Sequence, residues 1–214
     1  MVTTQMWSVV IPVKRPEFAK TRLADAVGAM RPEVARAFAA DTVAAAVECP
    51  LVERVVVVTD DAAAADETER LGAEVVADTP DAGLNAALRH GAETVRARHG
   101  SAAVATLSAD LPSLRPDELR RVLVAATAHA VSFVADASGI GTTLYASAPG
   151  ATFMPRFGGR SRAAHRADGA VELDLDDVPS VRRDIDTAID LWDAERLGLG
   201  PRTTAVMGRL DAAS

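Results

Sequence analysis

Three short apolar runs limit how this chain can fold: WSVVIPV at 7–13, RVVVVT at 54–59 and AAVATLS at 102–108. A strand with one face in water alternates apolar and polar side chains, because successive residues point to opposite faces of the sheet. These runs lack that alternation, so each must be covered on both faces, as in a parallel sheet wrapped in helices. The segments between them supply the helices. Leu84, Ala87, Leu88, Gly91 and Val95 recur at helical spacing and form one apolar stripe. RPDELRRVLVAA repeats the pattern, with Pro116 in the first turn, Asp117 and Glu118 where the helix dipole favours acids, and Leu119, Val122, Leu123 and Ala126 as the stripe.

After residue 128 the pattern changes. VSFVAD (131–136) and TTLYAS (142–147) flank the glycine-containing ASGIG, which predicts an antiparallel addition to the sheet. RFGGRS, a short helix RAAHRA, a loop-like DGAVELDLDDVPS and a final helix TAIDLWDAERLG follow, the last ended by Gly198 to Pro201. No internal repeat or low-complexity linker divides the chain, so residues 1–214 read as one α/β domain.

Charge and cysteine content narrow the function classes. A net charge of -7 gives no overall field toward nucleic acid or anionic lipid, so a polyanionic ligand needs a local cationic cluster. Cys49 is the single cysteine, which excludes an internal disulfide or a multi-cysteine metal site and fits a reducing cytoplasm. No apolar stretch approaches the roughly 20 residues that span a bilayer, and MVTTQMWSVVIPV has no basic leader region. The expected location is cytoplasmic, with neither membrane nor nucleic acid as partner.

Ligands of open α/β sheets bind outside the carboxyl ends of the strands, so the polar residues that follow the apolar runs are the candidates. Lys14, Arg15, Lys20 and Arg22 fall within KRPEFAKTRL and form a cationic cluster suited to a triphosphate, or simply a solvated helix start. Thr59, Asp60 and Asp61 follow the second run. In DTPDAGLNAAL, Gly83 allows close backbone approach, and Asn85 offers an amide for a purine or ribose, or a helix cap. Asp110 follows the third run in SADLPSL, and DID at 184–186 is its distant partner. If the DID segment is extended, Asp184 and Asp186 share a side, and carboxylates from both segments make a hard oxygen site for magnesium. The alternative is local: Asp110 opens a turn, and Asp186 or Thr187 caps a helix. Gly158, Gly159 and Ser161 in RFGGRSRAAH suit an anion at a helix start, or a plain serine cap, and His165 reads as structural. G-x-S-x-G, H-E-x-x-H and Walker A motifs are absent, which argues against covalent catalysis.

IPVKRPEFAKTRL, GLNAAL, SADLPSL, FGGRSRAAH and DIDT together resemble the 2-phospho-L-lactate or phosphoenolpyruvate guanylyltransferases of deazaflavin coenzyme (factor 420) biosynthesis, from about residue 7 to about 200. SADLP and DIDT recur among many nucleotidyltransferases, whereas VK...AKTRL combined with FG..S...H is more specific. The resemblance implies a single-domain, Rossmann-like nucleotidyltransferase fold, a mostly parallel mixed sheet flanked by helices. It implies transfer of GMP from GTP to a small phosphorylated carboxylic acid with release of pyrophosphate. By position, Asp110 and Asp184 look like magnesium ligands with Asp186 a further one. Thr142, Gly158 and Ser161 look like contacts to the acid, and Lys14, Lys20 and Arg22 would face the GTP phosphates; Gly83 and Asn85 are nucleotide-binding candidates from their residue types alone. The first strand is not followed by the glycine-rich loop usual in the superfamily, which shifts triphosphate binding toward side chains.

The absent catalytic triad is consistent with this chemistry. A phosphate monoester has a second pKa near 6 and is already an anionic nucleophile at neutral pH. Phosphoenolpyruvate is the acceptor the resemblance favours, with 2-phospho-L-lactate and 3-phosphoglycerate as alternatives. The product is a labile diphosphodiester, so transient contact with the next transferase is expected. Rival readings are a magnesium-dependent nucleotidyltransferase using CTP or a sugar phosphate, and a non-catalytic nucleotide-binding subunit.

Overall fold

The computed structural model describes residues 5–14, 23–79 and 81–213. The three apolar runs become β1 (Trp7–Pro12), β2 (Val52–Val58) and β4 (Ala103–Leu107), adjacent and mutually parallel. With β3 (Glu74–Val76), β5 (Val131–Ala135), β6 (Thr142–Ser147) and β7 (Val171–Glu172) they form one sheet in the order β3-β2-β1-β4-β6-β5-β7. β6 runs antiparallel to both of its neighbours, and the other pairings are parallel. The expected hairpin of β5 and β6 is present, with the later strand inserted beside β4.

The sheet is buried on both faces because side chains alternate. Val9 and Ile11 join a core that includes α2 (Arg31–Val47) and α5 (Pro116–Ala126), whereas Val10, Val56 and Val58 pack with Ala87, Leu88 and Val95 of α4 (Leu84–His99). Both predicted stripes are the buried faces of their helices, α4 and α5. Gly91 belongs to the α4 stripe for a steric reason. A Cβ there would lie 2.6 Å from Cγ1 of Val10 and 2.8 Å from Cγ2 of Val58, so the helix sits as low on the sheet as glycine permits. α2 is buried through residues spread around its circumference, including Val34, Phe38, Ala40, Val43 and Ala46, so it leaves no single stripe to read in the sequence.

Helices α1 (Ala24–Val27), α3 (Ala62–Arg70), α6 (Ser161–Ala167), α7 (Pro179–Arg182), α8 (Ala188–Leu197) and α9 (Pro201–Ala213) complete the order. Two expectations need correcting. The loop-like stretch after α6 contains β7, which extends the sheet beside β5, and α7. Gly198 to Pro201 does end α8, but the chain restarts at Pro201 as α9, so α8 is not the final helix. The start of α9 is secured by Asp41 of α2, which is 4% exposed and accepts from the main-chain N–H groups of Arg202 at 3.2 Å and Thr203 at 2.8 Å. Asp41 therefore caps a helix far along the chain, satisfying donors that a local cap would otherwise meet.

Candidate active site

The strand order reverses direction between β1 and β4, both of which follow directly on the sheet, and a cleft opens at their carboxyl ends. The cleft has a volume of about 250 Å³ and is lined by Lys14 after β1, Asp110 after β4, Arg36 of α2, and Leu84, Leu88 and Phe157. Lys14 and Asp110 thus line one cleft, as their positions after adjacent parallel strands require. Arg36 adds a cation that the sequence reading missed, since on a long alanine-rich helix nothing distinguishes it from a surface arginine. Lys20 and Arg22, with Arg15, lie outside the described residues.

Asp110 is held by main-chain contacts on both sides. Oγ1 of Thr42, fully buried on α2, accepts from the N–H of Leu111 at 3.0 Å and lies 3.3 Å from the carbonyl of Ala109, which clasps the chain around residue 110. The N–H of Ile185 donates to the carbonyl of Asp110 at 3.2 Å. This bond joins the SADLP and DID segments. Ile185 is fully buried, Asp184 half-buried and Asp186 exposed, the alternation of an extended segment. Among the described residues no group of three His, Cys, Asp or Glu side chains stands ready to hold a metal ion. The cap of α8 is Thr187, in a reciprocal capping box with Asp190, so Asp186 does not serve that purpose.

The third group lies beyond β4. Thr142 opens the reversed strand β6, and the N–H of Ser108 donates to the carbonyl of Thr143 at 2.9 Å, so Thr142 starts beside the segment that carries Asp110. Its Oγ1 is 3.0 Å from Nδ1 of His165, while the main-chain N–H of Arg156 donates to Nε2 of the same ring at 2.8 Å. Because that N–H can only donate, Nε2 carries the lone pair, and the proton of the neutral imidazole sits on Nδ1 and is donated to Thr142. Burial pushes the His165 pKa down to about 4. The ring is fully buried among Phe133, Tyr145 and Phe157. His165 is therefore structural, as its sequence context implied, and it links Thr142 to the loop that leads into the glycine pair.

That loop is anchored again by Asn85. Its Nδ2 donates to the carbonyl of Phe157 at 2.9 Å, and its Oδ1 accepts from the Phe157 N–H at 2.8 Å, the pairing of one strand with another made by a side chain. The helix-cap reading of Asn85 is not borne out, since Gly83 with φ +90° is the cap residue of α4. Gly158 and Gly159 follow with φ of +102° and +52°, conformations that favour glycine. Ser161 is buried at the first position of α6, one residue past Arg160 at the cap, so it is not the plain serine cap.

Residues 7–193 match the family model described as Guanylyl transferase CofC like. The chain belongs to this family. It is 59% identical over 205 residues to the phosphoenolpyruvate guanylyltransferase of Streptomyces coelicolor, spanning 95% of this chain and 97% of that protein. It is 56% identical over 208 residues to the phosphoenolpyruvate guanylyltransferase of Thermomonospora curvata, spanning 97% and 91%. A Desulfovibrio desulfuricans G20 structure, solved as a candidate nucleotide-diphospho-sugar transferase, superposes with a TM-score of 0.73 at 16% identity over 97% of this chain and 96% of that one. This last likeness is one of fold, and it agrees with the Rossmann-like nucleotidyltransferase architecture read from the sequence. No helix among the described residues is long and apolar enough to cross a membrane.

Proposed function

We propose that the chain is a phosphoenolpyruvate guanylyltransferase, transferring GMP from GTP to the phosphate of phosphoenolpyruvate and releasing pyrophosphate, in deazaflavin coenzyme biosynthesis. The names of relatives 59% and 56% identical over nearly the whole chain support it. The structural observation that supports it is the main-chain bond from Ile185 to Asp110, which joins the DID segment to the segment whose Asp110 shares a cleft with Lys14 at the reversal of strand order.

The roles follow the strand order. Lys14, with Lys20, Arg22 and Arg36, neutralises the triphosphate. Asp110 and Asp184, with Asp186 as a further ligand, would hold Mg2+. These are hard oxygen donors, and magnesium usually takes one or two carboxylates, several waters and substrate phosphates instead of an all-protein cage. The donor set therefore fits without a preformed cluster of three. When bound, the ion supplies charge neutralisation at the α-phosphate and the leaving pyrophosphate. Thr142, Gly158 and Ser161 orient the acid. His165 donates to Oγ1 of Thr142, so the threonine hydroxyl hydrogen can be directed to an acceptor oxygen. Asn85 acts by holding the loop that carries Gly158.

The acceptor needs no protein base, since its phosphate is ionised at neutral pH. One of its oxygens bonds to the α-phosphorus of GTP while the bond from that phosphorus to the bridging oxygen of the β-phosphate breaks, and the electron pair leaves with pyrophosphate. The protein contributes in-line positioning and cationic side chains. The product is a reactive diphosphodiester, which favours a cytoplasmic site of action and brief contact with the transferase that consumes it. The test is pyrophosphate release from GTP or CTP with magnesium and each of phosphoenolpyruvate, 2-phospho-L-lactate and 3-phosphoglycerate, followed by mass measurement of the product. Turnover with CTP alone, or GTP binding without turnover on any acid, would displace this reading.

A further inference from the structure

The proposed function assigns the triphosphate to the cleft that holds Lys14 and Asp110, and a second cavity adjoins that cleft. It has a volume of about 350 Å³ and lies at the ends of β1 and β2, sharing Lys14 with the first cleft and walled by Val13, Val58, Gly83 and Ala87. Those walls are small and apolar. A Cβ at Gly83 would meet nothing within 4 Å, so the backbone there is open to a ligand. The acids in the lining are Asp60, Asp78 and Asp81. They do not form a cation site, because among the described residues no group of three such side chains could hold a metal ion.

Asp60 and Asp81 are exposed, and Asp78 differs from both. It is half-buried, its main chain is tied to the end of β2 by a 3.4 Å bond to the carbonyl of Thr59, and its Oδ1 is shielded from water and accepts no hydrogen bond among the described residues. A shielded carboxylate oxygen without a donor is unfavourable, and a ligand with N–H groups to offer removes the deficit. The Watson–Crick edge of guanine carries two adjacent donors, N1–H and the 2-amino group, which match the two oxygens of one carboxylate. Adenine and cytosine each place an unprotonated ring nitrogen where that match needs a donor, and uracil offers one N–H between two carbonyls. We propose that Asp78 selects guanine and that this cavity holds the base of the nucleotide whose phosphates lie at Lys14. Base, phosphates, ion and acceptor then follow the order of strands β3-β2-β1-β4-β6 along one edge of the sheet.

This inference rests on the reading that the chain uses GTP, and its test separates the two. Binding of GTP, ITP and ATP to the whole chain in magnesium is measured by calorimetry for the wild type, Asp78→Asn and Asp78→Ala. ITP lacks only the 2-amino group. The wild type is expected to favour GTP over ITP by about tenfold or more, the scale of a hydrogen bond to a charged group. Both variants should bring that ratio to within about twofold of unity, as the same charged bond is lost. An unchanged ratio in both variants, or a wild type that binds GTP and ITP equally, overturns the assignment. A wild type that prefers GTP but turns over no acid overturns the transferase reading and leaves the assignment of Asp78 standing.

Discussion

One imidazole joins the two halves of the proposed acceptor region: Nδ1 of His165 lies 3.0 Å from Oγ1 of Thr142, and Nε2 accepts the N–H of Arg156 at 2.8 Å. A side chain that spans both the start of a strand and the entry to a glycine loop fixes their separation. In His165→Asn the shorter amide keeps a donor near Nδ1 and leaves the Arg156 N–H without an acceptor. Such an orphaned group costs about 1–3 kcal/mol, so the KM for the acid should rise by roughly tenfold while that for GTP stays within about twofold. Equal loss for both substrates, seen in steady-state kinetics, would reduce His165 to a general packing residue.

The same ring makes stability depend on pH. Burial holds the folded pKa near 4 against 6.5 for the free side chain, so the unfolded chain binds the extra proton between those values. The contribution of His165 is complete above about pH 6.5 and declines as pH falls toward 4, by roughly 3 kcal/mol in all. Urea unfolding between pH 4.5 and 7.5 should give a steeper fall for the wild type than for His165→Gln. Parallel curves would contradict the buried neutral ring.

Asp110→Asn should remove pyrophosphate release while leaving the unfolding midpoint near that of the wild type. The variant keeps the shape of the side chain and the main-chain bond from Ile185, and loses the charge that an ion requires. Near-normal release of pyrophosphate by this variant, in the assay with GTP and phosphoenolpyruvate, would refute its role in holding the ion.

Thr42 reaches the reaction only through the backbone of residue 111. Thr42→Val preserves volume and takes away the acceptor of the buried Leu111 N–H, an expected loss of about 1–3 kcal/mol in stability. Because that bond fixes the segment carrying Asp110, kcat should drop by about tenfold or more, and Thr42→Ser should restore it. Full activity in the valine variant at a temperature where it remains folded would show that Asp110 needs no such clasp.

The parallel strands were legible because burial on both faces leaves continuous apolar runs, and Asp110 was legible because it follows one of them. What escaped notice is contact between distant segments. Thr42 and Leu111 are 69 residues apart, and Asp41 caps α9 across 161 residues, so Gly198 to Pro201 looked like the end of the helical chain although a donor-rich helix start was being satisfied from elsewhere. α2 hid for a different reason, its small apolar residues lying all around the axis. The bond of the Asn85 amide to the main chain of Phe157 spans 72 residues and leaves no local mark in the sequence. β3 is a three-residue edge strand of partly buried residues, too short to show any periodicity.

The direction of β6 has an outcome for how acceptor preference can change. Parallel strands bring their last residues to the ligand edge and hand over to loops, but a reversed strand brings its first, so Thr142 is carried by the ladder that pairs Leu144 with Leu107. Its distance from the Asp110 segment is therefore a matter of sheet geometry; under the proposed roles, a relative that takes a different acid is expected to differ in the side chain at this position or in the glycine loop, because the ladder between the two strands cannot slide.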